Sequence, residues 1–163
     1  MTFLQYACQW LADTVIGTRI RESDNLFSVI ETLHVLGIVL TAGTIAIVDL
    51  RILGLLLNRH SVHAVLVPLV KIAWRGFALM ALTGLLLFWS EADKLYFNLA
   101  FRLKLLLLLA AGVNQWIFHM AYDADIAASS ALDAVAWRTR VSAILSLSLW
   151  IGIIVLGRAI AYL

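Results

Sequence analysis

Four long apolar stretches separated by short polar breaks set the pattern of the chain. They run from about Asn25 to Leu57, Ala64 to Trp89, Asn98 to Tyr122 and Val135 to Tyr162. Each reaches the roughly 20 residues that an α-helix needs to cross a hydrocarbon core, and the first exceeds it, so that span is expected to tilt or project at one end. The breaks are Arg59, His60, Ser61 and His63, then Ser90 to Tyr96, then an acidic Ala/Ser-rich loop from Asp123 to Asp133. Ser23 or Asp24 stands where a cap belongs, because a side-chain oxygen there accepts from the first free backbone N–H groups of the next helix. Pro68 falls near the start of the second span, where a missing N–H costs little.

Before residue 25 the pattern changes. Leu4, Ala7, Cys8, Leu11 and Val15 recur at helical spacing, Gln5, Gln9 and Asp13 lie off that stripe, and Tyr6 and Trp10 favour the headgroup zone. This predicts a helix over residues 3–17, lying on the membrane surface or packed against the bundle, followed by a polar joint from Gly17 to Asp24. No basic residue precedes Arg19, and the polar interruptions leave no hydrophobic signal core, so the N-terminus is expected to be retained. The expected fold is all-α: an integral membrane four-helix bundle (residues 25–163) with an N-terminal amphipathic interfacial helix and joint (residues 1–24).

Composition agrees with the pattern. The 163 residues are 63% hydrophobic and 13% charged, far from the roughly 45–50% and about 25% of soluble chains, so lipid is the main solvent. The net charge of +2 comes from Lys and Arg residues that bracket the apolar runs, which reads as topology anchoring and excludes nucleic acid as a partner. Arg51, Arg59, Lys71, Arg138 and Arg140 fall on one side and Arg19, Arg21, Lys94, Arg102, Lys104 and Arg158 on the other, so charge alone hardly orients the chain. Short first and third turns and a surface N-terminal helix lead to the expectation that both termini lie on the non-cytoplasmic side. Cys8 is the single cysteine, which removes intrachain disulfides and cysteine-based zinc sites. No phosphate loop, nucleophile elbow or zinc-protease helix motif occurs, so catalysis without a cofactor is not expected.

Folding the spans as antiparallel hairpins brings polar residues to two levels. Near the N-terminal side Glu31, His34, Arg102 and Lys104 gather with Phe88 and Trp89, either as a proton-carrying, metal or haem site or as a helix-end cluster. In that second case Glu31 pairs with Arg102 or Lys104 and His34 bonds a backbone carbonyl. At the other level Asp49, Arg51 and Lys71 approach His119, Trp137, Arg138 and Arg140. Arg75 lies one turn deeper beside Asn114 and Gln115, where it should face the bundle and pair with Asp49. Small-residue stripes (His34, Gly37, Thr41, Thr44; Ala73, Gly76, Gly84; Lys104, Leu108, Gly112, Gln115, His119) suit close helix packing or a flat cofactor. Ser142, Ser146 and Ser148 read as interhelical hydrogen-bond donors. Haem b needs one or two imidazoles at one depth, and His34, His63 and His119 are the candidate ligands, with Arg75, Arg102 and Lys104 as propionate partners. A Zn or Cu site from His60, His63 and His119 draws on the same residues but matches no specific spacing.

The segments Glu31-Thr32-Leu33-His34-Val35-Leu36-Gly37, Asp49-Leu50-Arg51-Ile52-Leu53-Gly54, Thr83-Gly84-Leu85-Leu86-Leu87-Phe88 and Asn98-Leu99-Ala100-Phe101-Arg102-Leu103-Lys104 carry a resemblance. Together they resemble a bacterial family of small four-helix inner-membrane proteins of unknown function, over about residues 25–122. In size and histidine usage the chain is also loosely similar to cytochrome-b-type and copper-resistance-D-type membrane bundles, although the paired intramembrane histidines of di-haem cytochromes are not reproduced. The resemblance implies a multi-pass protein of a bacterial inner (cytoplasmic) membrane. Two functions follow as expectations. One is a haem-b protein passing electrons between a quinone or redox partner protein and another carrier. The other is a non-catalytic structural or accessory subunit of a larger membrane complex or homo-oligomer.

Overall fold

The computed structural model describes residues 3–128, 137–160 and 162. Among them are seven helices: α1 (Phe3–Ala12), α2 (Val15–Glu22), α3 (Asp24–Ile52), α4 (Val62–Ser90), α5 (Ala92–Phe97), α6 (Leu99–Ala128) and α7 (Trp137–Ala159). Four are long and apolar enough to cross a membrane: α3, α4, the Leu99–Met120 part of α6, and α7. The chain is a multi-pass, all-helical membrane protein, and its exposed Leu106, Leu109, Trp116 and Met120 are surface for lipid, not defects.

The N-terminal segment is two helices where the pattern predicts one. Thr14 breaks the helix by donating its hydroxyl to Leu11 O (2.7 Å) while accepting from Gly17 N (3.3 Å), so it caps α2. A Cβ on Gly17 would stand 2.7 Å from Ala12 O, so only glycine allows α2 to fold back on the end of α1. The expected polar joint is therefore mostly helix. Arg21 Nη1 ties the layer together by donating to Ala12 O (3.3 Å) and Ser90 O (3.1 Å), and Trp89 Nε1 donates to Thr14 Oγ1 (2.8 Å). α1 packs against α5 and α4, the second of the two expectations for it, and Phe3, Leu4, Tyr6 and Trp10 remain exposed.

Ser23 caps α3 as expected, accepting from Leu26 N at 3.3 Å. The helix stops at Ile52, five residues before the expected limit. Leu55 N bonds to Leu50 O and Gly54 N to Arg51 O, a Schellman ending with Gly54 at φ 79°. Gly54→Ala should lower stability by about 1 kcal/mol, because an L-residue is strained in the left-handed region; the thermal unfolding midpoint in detergent reads it. Ser61 caps α4 by accepting from Ala64 N (3.2 Å), so α4 begins two residues earlier than expected. Pro68 then lies beyond the first turn and leaves Ala64 O without its helical N–H. Glu91 breaks the chain before the short α5. The expected acidic loop is helical from Asp123 to Ala128, Ala-rich sequence favouring continuation. Its remainder, and the first two residues of the expected fourth span, lie outside the described residues.

Glycines set the closest helix pair. A Cβ on Gly37 would fall 2.7 Å from Met80 N, and one on Gly76 would fall 2.7 Å from Leu40 Cβ and 2.8 Å from Thr41 N, so α3 and α4 touch backbone to backbone. One apolar cluster (Val48, Ile52, Val62, Val65, Leu66, Phe118, Ala143) and a second (Ala42, Met80, Ala111, Trp150, Ile153) fill the interior. α7 joins the halves by packing on both α6 and α3. α4 and α6 meet only thinly, and there Phe88 stacks on Phe101 at 5.5 Å.

Candidate functional site

Ten residues into α3 the half-buried His34 turns toward α4. Its Nδ1 lies 3.0 Å from Met80 O and 3.1 Å from Thr83 Oγ1, while Thr83 donates its own proton to Leu79 O (2.6 Å). A carbonyl oxygen only accepts, so Nδ1 carries a proton, and in the neutral form of the ring the lone pair is on Nε2. Gly84 makes room: a Cβ there would stand 3.0 Å from His34 Cε1. Lys104 of α6 is near enough to act on the imidazole electrostatically, and its Nζ would lie 3.4 Å from a Cβ on Gly157 of α7. All four spans thus meet at one level, with two glycines giving space to an imidazole and an ammonium. Lys94 pairs with Glu91 at 2.8 Å, whereas Lys104 has no carboxylate partner among the described residues. That surface contact, outside the spans, holds the Lys94 ammonium above its usual pKa through the hydrogen bond to Glu91.

The helix-end expectation is half met. His34 does bond a backbone carbonyl, but Glu31 is exposed and pairs with neither cation, and Arg102 is exposed with Nη2 3.4 Å from Phe97 O. His63 and His60 are exposed at the α3–α4 turn. His119 lies 15 residues beyond Lys104 on α6, about 22 Å along the axis, so it shares no level with His34. Its Nε2 is 3.0 Å from Gln115 Nε2. No group of three or more His, Cys, Asp or Glu side chains among the described residues could hold a metal ion. Of the six site residues expected from sequence, His34 and Lys104 come together, Arg102 stands outside them, and His63, His119 and Arg75 lie elsewhere. Thr83 and Gly157 were not singled out; a depth match between α3 and α4 would have found Thr83.

At the opposite end Asp49 and Arg51 are buried, Arg51 Nε donating to His60 O at 2.7 Å. Ser146 faces the Asp49 carboxylate, and Asp49 Oδ2, Arg51 Nη1 and Thr139 Oγ1 have no hydrogen-bond partner among the described residues. Ser142 donates to Asn114 Oδ1 (3.0 Å), an interhelical bond as expected, whereas Ser148 bonds within its own helix to Ile144 O.

Arg75 corrects a sequence expectation. Gly76, Met80 and Thr83 occupy the edge of α4 that faces α3, and the residue before Gly76 is turned about 100° away, so Arg75 is exposed on the outer face and does not reach Asp49. Its neighbour Gly76 packs on Thr41, ten residues from Glu31 (41 − 31) and ten from Arg51 (51 − 41). Those two polar residues stand about 30 Å apart along α3, which matches the thickness of a hydrocarbon core, and Arg75 is about midway between their levels. A cation there costs about 2.5–3.5 kcal/mol on insertion scales.

Comparison of the chain with protein-family models, with curated proteins and with solved structures gives no match.

Proposed function

We propose that this membrane protein binds haem b on His34 and passes electrons between a quinone or redox partner protein and a second carrier. The observation that supports this reading is the hydrogen bond from His34 Nδ1 to Met80 O, which leaves Nε2 as a coordinating nitrogen held in one tautomer. The donor set suits the group: an imidazole for iron, and in Lys104 an ammonium without a counter-charge for an anionic propionate. Haem b, when bound, supplies a one-electron iron couple. The chain's own part is to orient the ring through Met80 and Thr83, to seat the imidazole against Gly84 and the ammonium against Gly157, and to hold positive charge at Lys104, with Arg102 outside as a second propionate partner. A location in a bacterial inner membrane belongs to the same proposal and rests on the resemblance carried by the segments 31–37, 49–54, 83–88 and 98–104.

Oxidised and dithionite-reduced visible spectra of the detergent-purified chain, expressed with ample haem, test the reading. A Soret and α-band pair is expected, lost in His34→Ala and kept in His119→Ala and His63→Ala. Lys104→Gln should keep the bands but lower the midpoint potential, since removing a nearby cation favours the ferric form. A colourless, folded protein would overturn the proposal. The second reading, an accessory subunit of a larger membrane complex, is favoured by the position of Arg75.

A further inference from the structure

Pro68, Lys71, Arg75, Ala78 and Leu82 follow one another on α4 at spacings of three and four, and all are exposed. The helix meets α3 through Gly76 and Met80, on another side. It touches α6 where Phe88 stacks on Phe101 and α2 near Ser90, so nothing in the described chain covers the stripe at the level of Arg75. Lys71 lies one turn nearer the membrane surface, and its long stem carries the ammonium toward the headgroups. Arg75 has no such exit, being about 15 Å from either polar boundary of α3. A guanidinium that stays ionised at that depth needs an anion beside it, and a carboxylate matches its paired N–H donors.

We propose that this stripe is the contact face for a transmembrane helix of a different protein that carries an aspartate or glutamate at mid-depth. A second copy of this chain does not supply that group. A symmetric α4–α4 contact would set Arg75 against Arg75. Within the described spans Asp49 is buried, and Glu31, though exposed, lies ten residues above the level of Thr41. Ala78, one turn from Arg75, lets the partner backbone approach. The inference is independent of haem binding.

The test uses the full chain, donor-labelled, in phosphatidylcholine vesicles with acceptor-labelled polyleucine transmembrane peptides bearing one central Glu, Gln or Leu. The Glu peptide is expected to associate about tenfold more tightly than either other peptide. That preference should vanish in Arg75→Leu and survive in Lys71→Leu. Arg75 has no hydrogen bond or ion pair among the described residues, so the variant should fold, which retained helicity checks. Equal association of the three peptides, as expected if lipid phosphate satisfies Arg75, would overturn the proposal. So would a Glu preference that persists in Arg75→Leu, or a Gln peptide that binds as tightly as the Glu one.

Discussion

Gly37→Val is expected to force α3 off α4 and to lower stability by about 3 kcal/mol or more, the upper end of overpacking costs. The atoms that a Cβ would meet are Met80 N at 2.7 Å and Met80 Cα at 2.9 Å, both backbone, so no rotamer change relieves the clash. The helices themselves must separate. Because His34 bonds Met80 O one turn away, the same separation should break that hydrogen bond and any property that depends on the imidazole. Gly43→Val is the control: nothing lies within 4 Å of a Cβ at Gly43, so the change should stay within about 0.5 kcal/mol of wild type. Thermal unfolding in detergent separates the two, and equal midpoints would mean that α3 and α4 do not touch as described.

Arg51→Ala should cost about 3 kcal/mol, from the lost charged hydrogen bond to His60 O and the space left by a side chain only 2% exposed. Arg51→Met keeps most of the volume and loses only the donor, so its loss should be smaller. It also removes a buried cation whose Nη1 has no partner, a term that acts in the opposite direction. With its anchor gone, the turn from Leu53 to Ser61 should open, and trypsin cleavage at Arg59 should quicken in proportion to the loss of stability. Unchanged cleavage in Arg51→Ala would show that the turn holds itself.

The spans were legible because lipid demands long apolar helices, and residue types report that demand directly. Their ends were less so. The first span stops at Ile52 because Gly54 takes the left-handed conformation, while Leu55 to Leu57 are apolar enough to read as more helix. The break at Thr14 was hidden for the same reason: the apolar periodicity runs on from Leu11 to Val15, whereas the cap and the close approach at Gly17 are three-dimensional facts. In the site, His34 and Lys104 could be placed at one level from hairpin folding alone. Arg75 could not be placed correctly. Its depth followed from counting, but its direction depends on which edge of α4 the glycines give to α3, a rotation that a depth map does not contain. The cost of a lipid-facing cation argued for an inward turn, yet it is equally met by an anion outside the chain.

The thin contact between α4 and α6 has a mechanical consequence. Glycines lock α3 to α4, and α7 ties that pair to α6, so the molecule is two stiff leaves joined along the α3–α7 seam. A door of that kind has one free edge, closed by the ring stack of Phe88 on Phe101 and by the two apolar clusters that residues of α4 and α6 share. Swinging the leaves apart would break none of the glycine contacts, yet it would admit a flat or chain-like molecule sideways from the bilayer to the level of His34. What passes would then be chosen first by solubility in lipid.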